Sequence, residues 1–335
     1  MFKGRPVGIV GLGAYAPPKR LTNLDLEKLV DTSDQWITER TGIKERRIVE
    51  GDTATSDLAV KAAEKAIESA GITREEIQLI ICATASPDML FPPTACIAQD
   101  KLGIPKAGAF DLEAGCTGFL YALSVASQFV ALGTYNTVLV LGAETLSKFL
   151  DWQDRTTCIL FADAGAAAIL RPVPEGFGIL SFYLSAGEST TELIHCPAGG
   201  SLNPATHETV DKRMHYVKML GNEVFKSAIL KMEESANIAL EKAGLTIKDI
   251  DLYVPHQANI RIIDAVMKRL AIPKDKLYAN LHLYGNTSCA SIPLALYEAI
   301  SKGIVKPGSN ILMTAVGAGL TWGGMVMRWN GTGGK

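Results

Sequence analysis

The chain has 335 residues, 47% of them hydrophobic, so it can bury a large core and has room for two domain-sized halves. Its charges nearly cancel at a formal net charge of -2, which excludes an overall attraction to nucleic acid or anionic lipid and leaves any basic partner site to be local. No apolar run approaches the roughly 20 residues that cross a bilayer, and Met1 to Tyr15, with Lys3 and Arg5 but broken by Gly8, Gly11 and Gly13, reads as a poor signal peptide.

The first element contains Gly11-Leu-Gly-Ala-Tyr-Ala16, which fits the dinucleotide pattern G-x-G-x-x-G/A. That pattern needs a helix to begin at once, and Pro17-Pro18 follow instead, so nicotinamide binding is not expected. Next, Ala66-Ile-Glu-Ser-Ala-Gly-Ile-Thr-Arg-Glu-Glu-Ile-Gln-Leu79 reads as the end of an amphipathic helix, a C-cap at Gly71, a short acidic turn and a buried strand over Ile77 to Ala83. Gly108-Ala-Phe-Asp-Leu-Glu-Ala-Gly-Cys-Thr-Gly-Phe-Leu-Tyr-Ala-Leu123 then runs from a short strand through a tight turn into an apolar helix. Cys116 falls near that helix's N-terminus, where the macrodipole and free N–H groups are expected to lower the thiol pKa below its usual value of about 8.5. Gly115 and Gly118 let backbone approach a substrate closely. Taken locally, the alternative is a buried structural cysteine.

The Pro/Gly-rich stretch Arg171 to Gly178 reads as a joint, because the chain then repeats itself. Ala239-Leu-Glu-Lys-Ala-Gly-Leu-Thr-Ile-Lys-Asp-Ile-Asp-Leu252 matches the segment from Ala66 at an offset of 173 residues, 239 minus 66. Asn310-Ile-Leu-Met-Thr-Ala-Val316 matches Asn136-Thr-Val-Leu-Val-Leu-Gly142 at an offset of 174. Two similar α/β halves are predicted, residues 1–174 and 175–335, forming a layered α/β/α/β/α sandwich. Chemistry in such folds sits at strand ends where related units meet.

Strand Asp251-Leu-Tyr-Val254 ends at Pro255-His256-Gln257-Ala258-Asn259, which delivers His256 to the same sheet edge as a base or hydrogen-bond donor; alone it is equally a satisfied core histidine. The other histidines (195, 207, 215 and 282) have no comparable setting, and His195 beside Cys196 lacks metal-ligand spacing, so no metal is expected. In the turn Leu283 to Ser291, Asn286 occupies nearly the place that Cys116 holds in the first half and would face it across the pseudo-twofold axis; its alternative reading is a helix N-cap. Ala315-Val-Gly-Ala-Gly-Leu-Thr-Trp-Gly323 is a glycine-rich loop whose N–H groups can help build an oxyanion hole. Six scattered cysteines without C-x-x-C pairs predict a cytoplasmic protein with reduced thiols.

On four motifs the chain resembles the β-ketoacyl-acyl-carrier-protein synthase III family of the thiolase superfamily: Asp111-Leu-Glu-Ala-Gly-Cys-Thr-Gly-Phe119, Val254-Pro-His-Gln-Ala-Asn259, Tyr284-Gly-Asn-Thr-Ser288 and Gly317-Ala-Gly-Leu-Thr-Trp-Gly323. The resemblance runs essentially end to end and implies a thiolase-like fold with Cys116, His256 and Asn286 as the catalytic set. It implies that an acyl-CoA primer acylates Cys116, that malonyl-acyl carrier protein loses CO2, and that the resulting enolate attacks the thioester. The backbone N–H groups of Cys116 and Ala318 would be the oxyanion donors; many relatives have a third glycine at Ala318, and alanine serves there if φ is negative. Coenzyme A contacts are implied at Thr32, Trp36, Arg40 and Arg155, and a pantetheine tunnel at Met219, Phe225 and Asn259. A homodimer is implied, with Ser86-Pro-Asp-Met-Leu-Phe-Pro-Pro93 as the dimer loop and Phe91 capping an acyl pocket for a short primer. No cofactor is needed, since the coenzyme A thioester is a substrate.

Arg261, Lys268 and the adjacent Arg269, on the helix after His256, form a basic stripe suited to an acidic carrier protein, or else an ordinary solvated face. Competing functions are a relative that starts polyketides or other secondary metabolites, and a non-catalytic acyl-CoA-binding module, which needs none of the three catalytic residues. A papain-like hydrolase also pairs Cys, His and Asn, but its local cysteine signature is absent.

Overall fold

The computed structural model describes residues 4–187 and 191–332; Lys3 and the outermost residues of both expected halves lie outside them. In chain order the main elements are β1 (Val7–Tyr15), α1 (Asp34–Thr41), α2 (Thr55–Ala70), β2 (Leu79–Ala83), α3 (Thr94–Leu102), β3 (Gly108–Leu112), α4 (Gly118–Ala131), β4 (Val138–Thr145) and β5 (Asp163–Pro172). They continue with β6 (Gly178–Ala186), α5 (Gly221–Ala243), β7 (Leu252–Pro255), α6 (Ile260–Leu270), α7 (Ser291–Ser301), β8 (Asn310–Gly317) and β9 (Thr321–Arg328).

Two sheets carry the chain. The first has the order β1-β5-β4-β2-β3, and the second, β6-β9-β8-β7, repeats the first four places of that order. Strands β4, β2 and β3 are parallel while β5 is antiparallel to both β1 and β4; likewise β7 and β8 are parallel while β9 is antiparallel to β8 and β6. An isolated parallel bridge, Tyr253 to Leu277, stands where a fifth strand would extend the second sheet. Helices α2 and α3 cover the outer face of the first sheet, α5 with α6 packed on it covers the second, and α4 and α7 lie between the sheets. These are the five layers α/β/α/β/α expected from strands too apolar to face water on either side.

The local signals behave as their chemistry requires. Gly71 and Gly244 close α2 and α5 in the left-handed region, with φ of 63° and 68°. The strand predicted from Ile77 begins two residues later, at Leu79, and its repeat begins at Leu252, because Arg74–Glu76 and Ile247–Asp249 form 3-10 turns first. Gly13 belongs to β1, not to a nucleotide loop: a Cβ there would lie 2.1 Å from the carbonyl oxygen of Ala62, so its absence lets α2 pack directly on the strand. The largest core cluster joins Phe119 and Leu123 of α4, Ile292 and Leu296 of α7, and Met313 and Met325 of the second sheet. No helix among the described residues is long and apolar enough to cross a membrane.

Candidate active site

β3 leads through a 3-10 turn, Gly115–Thr117, directly into α4, placing Cys116 at the amino end of that helix. Gly115 has φ +52°, and a Cβ on it would lie 2.5 Å from the backbone nitrogen of Ala318. Conversely, a Cβ on Gly317 would lie 2.5 Å from the backbone nitrogen of Cys116. The amides of Cys116 and Ala318 therefore come together because both glycines lack a side chain. Ala318 keeps its φ outside the left-handed region, so alanine is unstrained there.

The thiol itself corrects the sequence expectation. Burial pushes Cys116 up to about 12; a hydrogen bond from the Ser288 side chain opposes the rise, and the charge of Glu144 adds to it. Taking the sulfur out of water penalises the thiolate more than the helix N-terminus favours it. Glu144, which sequence reading missed, is fully buried behind the site and accepts from Ser86 Oγ at 2.6 Å and the Ala85 N–H. It announces itself in sequence only as one acidic residue inside the apolar strand β4.

His256 follows β7, donates its backbone N–H to Thr314 O at 2.8 Å, and sets Nδ1 2.7 Å from Ser291 Oγ. With 4% of its surface exposed, the ring is pushed down to about 4 by burial and is neutral at pH 7. Asn286 is clamped by the first half of the chain: its N–H donates to Leu160 O at 2.9 Å and its carbonyl accepts from the Ala162 N–H at 2.8 Å. Its Oδ1 accepts the Ser288 N–H at 2.9 Å, which leaves the Nδ2 donors for the cavity. At the offset of 173 the counterpart of Cys116 is Cys289, also the middle residue of a 3-10 turn, Ser288–Ala290. Cys289 is fully enclosed, its Sγ 3.1 Å from Ala83 O, and burial raises its pKa well above the ordinary value. Asn286 stands three residues before this inert counterpart.

Two cavities meet at Cys116. A narrow one of about 90 Å³ is lined by Cys116, His256 and Asn286 together with Met219, Phe225 and Asn259. A wider one of about 280 Å³, lined by Leu146, Phe149, Val217 and Ala318, shares Cys116, Phe161 and Ile194 with it. His195, dismissed on spacing, forms part of the second wall with Cys196. These wall residues carried no sequence signal, since apolar side chains on short strands and turns look alike whether they line a chamber or fill a core.

Trp36, 37% exposed on α1, has two guanidinium groups over its ring, Arg155 at 5.3 Å and Arg40 at 5.9 Å from the centroid. Arg155 also donates to Asp31 O at 2.6 Å, and Thr32 Oγ1 is buried without a hydrogen-bond partner among the described residues. Asn259 caps α6 by accepting the Arg261 N–H at 2.8 Å, and donates to Arg40 O at 3.0 Å, which ties the Trp36 helix to the narrow cavity. Phe91, in the loop that the resemblance assigns to the dimer contact, is 81% exposed and lines neither cavity of its own chain. Of the basic stripe, Arg261 stacks over Phe225 at 5.4 Å and Lys268 is exposed, but Arg269 is paired with Glu233 of α5.

Two family models match, 3-oxoacyl-[acyl-carrier-protein] synthase III over residues 110–187 and its C-terminal domain over residues 240–329. The chain is 54% identical over 323 residues to the β-ketoacyl-[acyl-carrier-protein] synthase III of Caldanaerobacter subterraneus subsp. tengcongensis, covering 96% of this chain and 98% of that one. It is similar to the crystal structure of 3-oxoacyl-[acyl-carrier-protein] synthase III from Aquifex aeolicus, with TM-score 0.89 and 46% identity over 96% of this chain and 100% of that one. It is also similar to the priming β-ketosynthase of the R1128 polyketide pathway, with TM-score 0.91 and 32% identity over 99% of this chain and 98% of that one. Duplicated sheets with a cysteine, a neutral histidine and an asparagine on one cavity define a condensing acyltransferase of the thiolase fold. The chain belongs to the β-ketoacyl-[acyl-carrier-protein] synthase III family.

Proposed function

We propose that this protein starts type II fatty acid synthesis by joining a short acyl group from acyl-CoA to malonyl-acyl carrier protein. The observation that carries the reading is Cys116 at the junction of two cavities, with His256 and Asn286 facing it in the narrow one. A thioester arm entering past Met219, Phe225 and Asn259 brings its carbonyl to Cys116, and the acyl chain then lies in the wider chamber beyond the sulfur. In the first half-reaction the Cys116 sulfur bonds to the acyl carbonyl carbon, the bond to coenzyme A sulfur breaks, and the thiol proton leaves with coenzyme A. The amides of Cys116 and Ala318 hold the oxyanion. In the second, the malonyl carboxylate departs as CO2 and its electron pair forms an enolate, whose oxygen is held by His256 Nε2 and Asn286 Nδ2. The enolate carbon bonds to the thioester carbonyl carbon and expels the Cys116 sulfur, which regains a proton. Thiol, imidazole, amide and backbone supply every group required, so no cofactor takes part.

The adenine end of coenzyme A is assigned to Trp36, Arg40 and Arg155, with Thr32 beside them, and the pantetheine to Met219, Phe225 and Asn259. Carrier-protein docking is assigned to Arg261 and Lys268. We place the protein in the cytoplasm, a reading supported by six unpaired thiols. The halves 1–174 and 175–335 each supply one side of the site. The exposed apolar loop at Met89, Leu90 and Phe91 supports a homodimer, with Phe91 shaping the partner's acyl chamber. The higher identity to fatty acid starters than to the polyketide priming enzyme, 54% against 32%, favours primary metabolism. The test is intact mass after incubation with a panel of acyl-CoAs, followed by malonyl-carrier protein. The expected result is one acyl group on Cys116 that is discharged as a 3-oxoacyl product; an acyl adduct that survives in Cys116→Ala overturns the reading.

A further inference from the structure

Ser291 is the first residue of α7, the helix between the two sheets, and its hydroxyl is enclosed. Among the described residues that hydroxyl meets two hydrogen-bonding groups, the backbone N–H of Gln257 at 3.3 Å and Nδ1 of His256 at 2.7 Å. A hydroxyl has one proton to donate and two lone pairs to accept with. The Gln257 amide can only donate, so it occupies a lone pair of Oγ. Among the described residues the hydroxyl proton then has one acceptor within reach, Nδ1; if Nδ1 carried a proton instead, it would fill the second lone pair and the serine proton would be left without an acceptor in a buried place.

We propose that Ser291 is a positioning residue that fixes the Nε2–H tautomer of His256, so that the imidazole acts on substrate as a hydrogen-bond donor and not as a base. The ring nitrogen that carries the proton is set by what the other nitrogen bonds, and here the other nitrogen accepts. Burial, which keeps the ring neutral, leaves no second proton to blur the assignment. Asn286 obeys the same rule: the Ser288 N–H occupies its Oδ1 and turns its amine toward the cavity. Two backbone amides, of Gln257 and Ser288, thus give both side chains their polarity toward the same space. The proposal rests on the reading that His256 stabilises the enolate oxygen.

The test uses the full chain with ¹⁵N-labelled histidine, the His256 signals being assigned by their loss in His256→Gln. At pH 7 the Nδ1 signal is expected at the non-protonated position and Nε2 at the protonated one. In Ser291→Ala this preference is lost, and CO2 release from malonyl-carrier protein falls about 10- to 10³-fold, since a misplaced imidazole proton removes the donor. Acyl labelling of Cys116 stays within about twofold of wild type, which also reports an intact fold, because that half-reaction does not use His256. Ser291→Thr restores both the tautomer and CO2 release. A protonated Nδ1 in the wild type overturns the proposal, as does Ser291→Ala that keeps the Nε2–H signal and full CO2 release. Full CO2 release from His256→Ala would instead overturn the enolate reading, while the tautomer assignment would still be decided by the spectrum.

Discussion

Replacing Asn286 with aspartate tests one donor with little disturbance around it. Aspartate retains the oxygen that accepts the Ser288 N–H at 2.9 Å and exchanges Nδ2 for a second oxygen, so the turn keeps its internal bond while the cavity loses its donor. Asn286→Ala is the poorer choice, because it strands the buried Ser288 N–H at a cost of about 1–3 kcal/mol in stability. Loss of a single donor to a developing oxyanion typically slows the step about 10²- to 10³-fold, or about 2.7–4 kcal/mol. An ionised aspartate adds repulsion toward the enolate, so the larger figure is expected. Only decarboxylation should suffer, since acyl transfer uses the separate amides of Cys116 and Ala318. The assay pairs labelling by radioactive acyl-CoA with release of CO2 from carboxyl-labelled malonyl-carrier protein. Asn286→Asp and His256→Ala are expected to label normally and release almost no CO2, with Cys116→Ala as the unlabelled blank. Labelling abolished in all three would mean that His256 and Asn286 activate the nucleophile, and the division between half-reactions would be wrong.

Four further outcomes follow from particular contacts. Arg261→Glu is expected to raise KM for malonyl-carrier protein far more than for acyl-CoA, with the difference shrinking as salt is added; equal effects on both substrates would remove the docking role. Below the Cys116 value of about 12, the thiolate fraction grows tenfold with each pH unit, so alkylation of the unliganded protein should climb about tenfold per unit from pH 7 to 9. A plateau below pH 8 would show that the helix N-terminus wins over burial after all. Gly317→Ala would place a Cβ 2.5 Å from the Cys116 nitrogen and should cut labelling and condensation alike, by about 10²-fold; wild-type labelling would refute the paired-amide oxyanion hole. Phe91→Thr should admit longer primers through the partner's chamber, whereas a wild type that already prefers primers of about ten carbons or more in competition would rule out the cap.

The sequence by itself determined the elements whose signals are local. Gly71 and Gly244 end their helices because only a residue at ease with positive φ closes them there, and the apolar strands that follow lie where their neighbours predict. The turn that sets Cys116 at a helix start, and the strand that ends at His256, were readable for the same reason, and the repeat at 173 residues announced two similar sheets. What needed the tertiary structure was everything set by residues distant in sequence. The Cys116 pKa rises because segments from both halves gather around the sulfur where the two cavities meet, and no local pattern reports that partial burial. Arg269 shares a face with Arg261 and Lys268 in sequence, and only the fold brings Glu233 of α5 against it. Cys289 reads in sequence much as Cys116 does, yet packing seals one thiol and opens two cavities onto the other. The polarity of His256 likewise hangs on Ser291, 35 residues away, whose hydroxyl is an ordinary helix-start serine until the fold lays it against the imidazole. Caps and turns are short-range and so are written in short segments; solvent exclusion and hydrogen-bond direction are properties of the assembled layers.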